Sequence, residues 1–209
     1  MTTPEIVTPN DESYAGPKVS CVLIDPPTEL LQTGNRGADQ HYDVVSMARL
    51  AQLPVNEMTT DNAHLWLWTT NAALRESYDL AEAWGFTVRS PLVWIKPRLG
   101  LGHYLRNASE VMLFATKGKA PVQFRSQPTW MFAPVQDHSH KPEEQYAVIE
   151  RVSGPGTKLE LFARRRPPKF PGTRWLVWGN ETDSDIRVPG WPVPSDYDEQ
   201  AVLAEGGDA

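Results

Sequence analysis

Asp25, Pro26 and Pro27 follow a short apolar run and are the residues whose types and spacing best suit chemistry. An aromatic amine delocalises its lone pair into the ring, and it must pyramidalise before it can attack a sulfonium methyl group. Two acceptors aimed at its N–H bonds favour that geometry. Proline holds φ at about −65° and has no N–H donor, so the Pro26 carbonyl would be a fixed acceptor beside the Asp25 carboxylate. A simple turn after a strand would use the same three residues, so the tripeptide alone leaves both interpretations open.

Two further polar clusters also follow apolar runs: Glu160 with Arg164, and the Gly179-Asn180-Glu181 segment. In open sheets with parallel strands, ligands bind in the loops at the carboxyl ends of the strands. The three clusters therefore predict a single site at one edge of a sheet. The sequence contains no GxxxxGK[ST] loop, which argues against a P-loop nucleotide hydrolase despite the aspartate after the first apolar run.

The elements that must position these clusters alternate between strands and helices, which predicts an α/β fold with a largely parallel sheet and helices on both faces. Ser46 is the expected cap of the first helix and Gly85 the residue that ends the second. We expect Pro91 to interrupt the third strand. The predicted strands cover residues 19–24, 64–69, 87–95, 110–116, 158–163 and 174–177, and the predicted helices cover residues 46–53, 74–84 and 142–152.

The composition is that of one globular domain of 209 residues, with 40% hydrophobic and 22% charged residues. The single cysteine excludes an internal disulfide and a multi-cysteine zinc site, and it favours a reducing compartment such as the cytoplasm. The histidines are too irregularly spaced for a zinc site, so no metal is expected. No signal peptide or membrane span is predicted. We expect a disordered segment at 1–17, a catalytic domain at 18–186 and an acidic, proline-containing tail at 187–209.

The net charge of −6 disfavours a nucleic-acid partner, but the charges are unevenly distributed. Between residues 151 and 174 there are seven cations and one acid, whereas the region after Asn180 is acidic. A local positive field can persist in a protein of negative net charge. We therefore predict that Arg165 and Arg166 contact phosphate, although a solvated charged surface would have the same composition.

From Val19 to Glu181 the sequence resembles the permuted, or β-class, amino-methyltransferases typified by the catalytic subunit of the mRNA adenosine N6-methyltransferase. It is more similar to the compact DNA-modifying members from bacteria and phages. The resemblance implies a Rossmann-like fold with permuted motif order, S-adenosylmethionine as cofactor, and methyl transfer to N6 of adenine in DNA. The target base would be flipped from a duplex or presented in a single strand. The segments that carry the resemblance occur in the family order: VLIDPP, GADQHY, HLWLWTTN, AWGF, PLVWIKP, GLGHYLRNASEVMLFATKG, HSHKPEEQYAVIERV, LELFARR and WGNE.

The resemblance also implies a role for individual residues. It places a catalytic motif at the first of the three clusters, cofactor contacts along the whole chain, and substrate contacts in the loops. Several of these residues could instead be solvated surface charges or turn caps. The implied catalytic residues are Asp25, Pro26, Pro27 and Thr28; the cofactor residues are Asp25, Lys141, Glu160, Arg164, Asn180 and Glu181; the substrate residues are His41, Tyr42, His103, Tyr104, Arg165 and Arg166.

Thr28 departs from the family pattern, which has an aromatic residue, usually tryptophan, at this position. That ring sandwiches the target base, and such stacking contributes about 1–3 kcal/mol per base. Tyr42, Trp130 or Phe132 could replace it, the last two from a polar loop. The departure leaves three alternatives open: a non-catalytic nucleic-acid-binding partner of an active methyltransferase, an enzyme acting on cytosine N4, or one acting on a small molecule. Specificity must come from short loops, from a second copy of the chain or from a partner subunit.

Overall fold

A seven-stranded sheet with the strand order β5-β3-β4-β2-β1-β6-β7 forms the centre of the protein. The structure is a computed structural model that describes residues 13–27, 45–100, 104–136 and 140–196. Its elements are β1 (Val19–Ile24), α1 (Met47–Leu50), α2 (Val55–Met58), β2 (Thr59–Thr69), α3 (Leu74–Ala83), β3 (Thr87–Ile95), β4 (Ser109–Lys117), β5 (Trp130–Phe132), α4 (Glu144–Ser153), β6 (Gly156–Leu161) and β7 (Thr173–Trp178).

The sheet is mostly parallel, as predicted, and strand β4 is the exception. β1 pairs in parallel with β2 and β6, β6 with β7, and β3 with β5. β4 runs antiparallel to both of its neighbours, β2 and β3. Because of this reversal, the first residues of β4 lie at the edge where the other strands end.

Helices cover both faces of the sheet, which confirms the predicted layering. On one face, Val22 and Ile24 of β1 pack with residues of α1, α2 and α3. On the other face, Cys21 and Leu23 pack with α4. Successive side chains of a strand point to opposite faces, so a strand buried on both sides reads as one continuous apolar run. This is the pattern of β1.

The local signals of the sequence act as expected at the helix ends. The Ser46 hydroxyl caps α1 by accepting a hydrogen bond of 3.2 Å from the Arg49 N–H. Gly85 follows α3 with φ at +84°, a value that suits glycine. Pro91 does not break β3, because β5 pairs only with residues 93–95 and β3 has a single neighbour, β4, at the proline.

Several features differ from the sequence-based expectations; β2, for example, begins at Thr59 rather than at residue 64. The short elements α2 and β5 were not predicted, and Trp130 and Phe132 lie on β5 rather than in a polar loop. The side chains of Val188, Trp191 and Val193 are buried against the face that carries α1 to α3. The packed chain therefore continues beyond residue 186, where we placed the start of the tail. None of the described helices is long and apolar enough to cross a membrane.

Candidate active site

A cleft opens at the edge of the sheet where β1 and β6 end. Its apolar lining residues are Leu23, Trp68 and Phe162, and most of its other lining groups are ionisable. The cleft is lined by Leu23, Asp25, Trp68, His140, Lys141, Glu143, Gln145, Tyr146, Glu160, Phe162, Arg164 and Arg165.

Lys141 links two carboxylates at the floor of this cleft. Its Nζ lies 2.9 Å from Oδ1 of Asp25 and 3.6 Å from Oε2 of Glu110, and 5.4 Å above the centre of the Trp68 ring. Burial lowers the pKa of Lys141, but the two carboxylates outweigh burial, and the pKa is raised above its usual value. The ammonium group therefore stays charged and fixes the position of the Asp25 side chain.

Two acceptors remain unused beside this contact. Lys141 occupies Oδ1 of Asp25, and no described residue donates a hydrogen bond to Oδ2. The Pro27 carbonyl accepts the Val45 N–H at 2.8 Å, whereas the Pro26 carbonyl accepts from no described residue. The carboxylate oxygen and the carbonyl of adjacent residues can together receive both hydrogens of an amino group.

Glu160, on the neighbouring strand β6, carries an unusual carboxyl group that also lines the cleft. Burial raises the pKa of Glu160 to about 8; the hydrogen bond from Tyr146 lowers it, and the charges of Asp25 and Glu143 raise it further. The Tyr146 hydroxyl donates to Oε2 at 2.9 Å, and Oε1 has no partner among the described residues. A buried acid with one unused oxygen in a cleft is typical of a functional site.

The loops after β6 and β7 are held together by a close backbone approach at Gly179. A Cβ atom at this position would lie 2.1 Å from the Ala163 carbonyl oxygen, so only glycine fits. Phe162, which also lines the cleft, has a positive φ of 60°, a conformation that costs about 1–2 kcal/mol outside glycine. The approach brings Arg164 against Glu181, and Nε donates to Oε1 at 2.7 Å.

The structure brings the predicted cofactor residues together with one difference. Lys141, Glu160 and Arg164 line the cleft with Asp25, and Glu181 lies at its rim through the contact with Arg164. Asn180 is exposed in the turn after β7 and makes no hydrogen bond to a described residue.

The predicted substrate residues are less well assembled. Tyr104 is fully exposed and does not line the cleft. Arg165 lies at the cleft, 3.9 Å from Glu143, whereas Arg166 donates to both carboxylate oxygens of Asp185 at 2.9 and 3.0 Å. Thr28, His41, Tyr42 and His103 lie outside the described residues.

The basic segment from 151 to 174 has fewer available charges than its sequence indicates. Lys158 is completely buried and contacts the Gly154 carbonyl and the carboxylate of Glu150. Arg164 and Arg166 pair with Glu181 and Asp185, two acids that the sequence assigns to the acidic region after Asn180. The tertiary structure thus pairs these acids with cations of the basic segment. Phosphate binding by Arg165 and Arg166 stays a prediction.

Sequence reasoning missed Glu110 and Tyr146. Glu110 stands at the start of a predicted strand, and in a parallel strand it would lie at the edge away from the site. Only the antiparallel direction of β4 brings it to Lys141. Tyr146 lies one helical turn after Pro142 on the face of α4 that packs on the sheet, and that spacing is the one signal that could have identified it.

Comparison with known proteins agrees with this arrangement. Residues 19–181 match the MT-A70 family model, which spans every cluster of the cleft. The type II methyltransferase M.MunI from Mycoplasma sp is 34% identical over 155 residues, which cover 71% of this chain and 63% of M.MunI. The N(6)-adenosine-methyltransferase catalytic subunit METTL3 from Homo sapiens is 33% identical over 187 residues, or 83% of this chain and 30% of METTL3.

A plant relative gives the same result: N(6)-adenosine-methyltransferase MT-A70-like from Arabidopsis thaliana is 29% identical over 168 residues, 77% of this chain and 23% of the relative. The chain thus spans about a quarter to a third of the length of these adenosine methyltransferases. The predicted resemblance is confirmed, including the similarity to a compact bacterial member. The order and extent of the match show that the chain belongs to the MT-A70 family of methyltransferases.

Proposed function

We propose that the protein transfers a methyl group from S-adenosylmethionine to the exocyclic amine of a nucleic-acid base, N6 of adenine in DNA. The observation that carries this proposal is the pair of acceptors after β1 that no described residue uses, Oδ2 of Asp25 and the Pro26 carbonyl. Relatives named as adenosine N6-methyltransferases support the amine as target. The type II methyltransferase from Mycoplasma sp among the relatives supports methyl transfer in a bacterium. DNA as the substrate and the cytoplasm of a bacterial or phage-infected cell as the location are parts of this proposal.

The residues around the cleft fit the cofactor. Oε1 of Glu160 has no partner among the described residues and can accept from a hydroxyl or ammonium group. Lys141 supplies a buried positive charge near the reacting end of the cleft. Arg164, Asn180 and Glu181 would hold the cofactor from the loops after β6 and β7. When bound, the cofactor supplies an electrophilic methyl group on a sulfonium.

The chain's own residues prepare the amine for attack. Oδ2 of Asp25 and the Pro26 carbonyl would each accept one N–H, which turns the nitrogen lone pair out of the plane of the base. The Asp25 carboxylate stabilises the positive charge that develops on nitrogen and is the nearest acceptor for the proton lost. Lys141 holds the other carboxylate oxygen, so this environment is preorganised before the reaction.

The reaction is tested by supplying S-adenosylmethionine with a deuterated methyl group and adenine-containing DNA and RNA oligonucleotides. We expect labelled N6-methyladenine in the DNA by nucleoside mass spectrometry, and one cofactor site per chain by calorimetry. Labelled N4-methylcytosine would instead identify N4 of cytosine as the target. A protein that binds oligonucleotide but neither binds the cofactor at millimolar concentration nor transfers its methyl group would be a binding partner rather than an enzyme.

The pH dependence of cofactor affinity tests the role of Glu160. Only an ionised carboxylate can accept a hydrogen bond from Tyr146 on one oxygen and from the cofactor on the other without carrying a proton itself, so cofactor affinity should rise as the pH passes the Glu160 pKa of about 8. Tyr146→Phe should move this rise to higher pH, because the hydrogen bond from Tyr146 lowers the pKa of Glu160. Calorimetry between pH 6.5 and 9 measures the rise in affinity of the wild type and its displacement in Tyr146→Phe. Glu160→Gln is the control, because it lacks the carboxyl group and leaves only the titration of the cofactor's own amine. If cofactor affinity depends on pH in this variant as it does in the wild type, Glu160 is not the group responsible.

A further inference from the structure

The end of the sheet formed by β3 and β5 has an uncovered apolar face. Trp130 and Phe132 are 53% and 60% exposed on the edge strand, whereas Met131 between them points into the core. Ile95 of β3 pairs with Phe132 and is 39% exposed. Helix α3 packs on β3, but these three side chains stay exposed. Two adjacent exposed aromatic rings on a rigid strand are costly to leave in water, which indicates a binding surface.

The stretch of sequence that contains β3 and β5 is basic. Residues 91–136 contain six lysines and arginines and one glutamate, although Lys117 and Lys119 lie at the opposite edge of the sheet, where they contact Asn56 and Asn62. The single acid, Glu110, is already paired with Lys96 and Lys141. Arg98 and Arg106 are exposed and form no hydrogen bond or ion pair with another described residue. Exposed cations beside exposed rings are complementary to a nucleic-acid strand.

The surface lies at the same edge of the sheet as the cleft. β3 and β5 run in the same direction as β1, because β4 is antiparallel to both β2 and β3. Four strand spacings separate β1 from β5, or roughly 19 Å. A row of contacts from Asp25 through Lys141 and Glu110 to Lys96 connects the two places. A strand of several nucleotides can cover this distance, and binding proteins of this kind engage about 4–16 nucleotides.

We infer that unpaired nucleotides flanking the target base lie across the end of β3 and β5, where their bases stack on Trp130 and Phe132 and their phosphates contact Arg98 and Arg106. The inference rests on the proposed function and narrows its substrate to a single-stranded or locally opened nucleic acid. Paired bases inside a duplex cannot stack on protein rings. A second copy of the chain is a poorer occupant, since it would bring the exposed cations Arg98 and Arg106 of two copies together.

Binding of a fluorescent single-stranded oligonucleotide, as DNA and as RNA, to the full chain tests the inference. Each of Trp130→Ala and Phe132→Ala should weaken binding about 5- to 150-fold, and Trp130→Phe should keep most of the wild-type affinity. Arg98→Gln and Arg106→Gln should each reduce the slope of the logarithm of affinity against the logarithm of salt concentration by about one. Phe124→Ala is the matched control, an aromatic residue of 40% exposure that stacks with Arg151 elsewhere. We expect it to bind as the wild type does.

Three results would overturn the inference: equal binding by the alanine variants and the wild type, tighter binding of duplex than of single strands, or a dimer in sedimentation that Trp130→Ala dissociates. Calorimetry with the cofactor separates this inference from the proposed function. If the alanine variants bind strands normally and the wild type still methylates, the surface is wrong and the function stands. If they lose strand affinity while the wild type binds no cofactor, the surface stands and the function is wrong.

Discussion

Asp25→Asn should lower the rate of methyl transfer at least about 100-fold, the usual scale for removing one preorganised electrostatic group. The amide can still accept one hydrogen bond, but it has no negative charge to stabilise the amine as it becomes positive. It also leaves Lys141 with Glu110 as its remaining acidic neighbour at the cleft floor. Asp25→Ala removes the acceptor as well and should abolish transfer.

The measurement is the single-turnover rate with labelled cofactor, together with cofactor affinity by calorimetry. Affinity should stay within a few-fold of the wild-type value in both variants. Asp79→Asn on the exposed side of α3 is the matched control, because it removes a carboxylate far from the cleft. Retention of the rate within threefold in Asp25→Asn would show that Asp25 does not hold the amine. A wild type without transfer, and an Asp25→Ala variant with unchanged oligonucleotide binding, would support the binding-partner alternative.

Glu160→Gln should stabilise the protein without cofactor by about 3 kcal/mol at pH 7. The pKa of Glu160 is about 8 in the folded protein and 4.5 in its reference state. The folded form thus resists ionisation, and the wild type loses stability as the pH rises from 4.5 through 8. Glutamine has no proton to lose, and its oxygen can still accept from Tyr146. For a chain of this size the gain corresponds to a rise in Tm of roughly 6–12 °C.

Urea unfolding at pH 4, 7 and 9 measures this effect. The two proteins should be nearly equal at pH 4, and their difference should be largest at pH 9. Glu144→Gln is the control, since Glu144 lies on the exposed side of the same helix as Tyr146. The more stable Glu160→Gln variant should bind the cofactor at least tenfold more weakly, a common exchange of activity for stability at functional sites. If the gain in the free energy of unfolding does not change with pH, burial of the carboxylate is not the cause of the gain.

Local chemistry explains the elements that the sequence predicted well. β1 has the predicted bounds, because a buried parallel strand is one apolar run and the two prolines end it. α3 ends beside Gly85 for a similarly local reason. Elements of three or four residues, such as β5 and α2, are too short to show a periodicity, and they form because tertiary contacts hold them.

The sequence by itself determined the family, the α/β fold and the position of Asp25, Lys141, Glu160 and Arg164 at one site, since these depend on motif order and on strand ends. The tertiary structure alone decided how the charges pair. Side-chain periodicity is the same in parallel and antiparallel strands, so the reversal of β4 and the contact of Glu110 with Lys141 could not be predicted. Charge partners far apart in sequence, such as Arg166 and Asp185, likewise meet only when β6 and β7 pair. For that reason two of the arginines between residues 151 and 174 are paired with acids, which their positions in the sequence did not indicate.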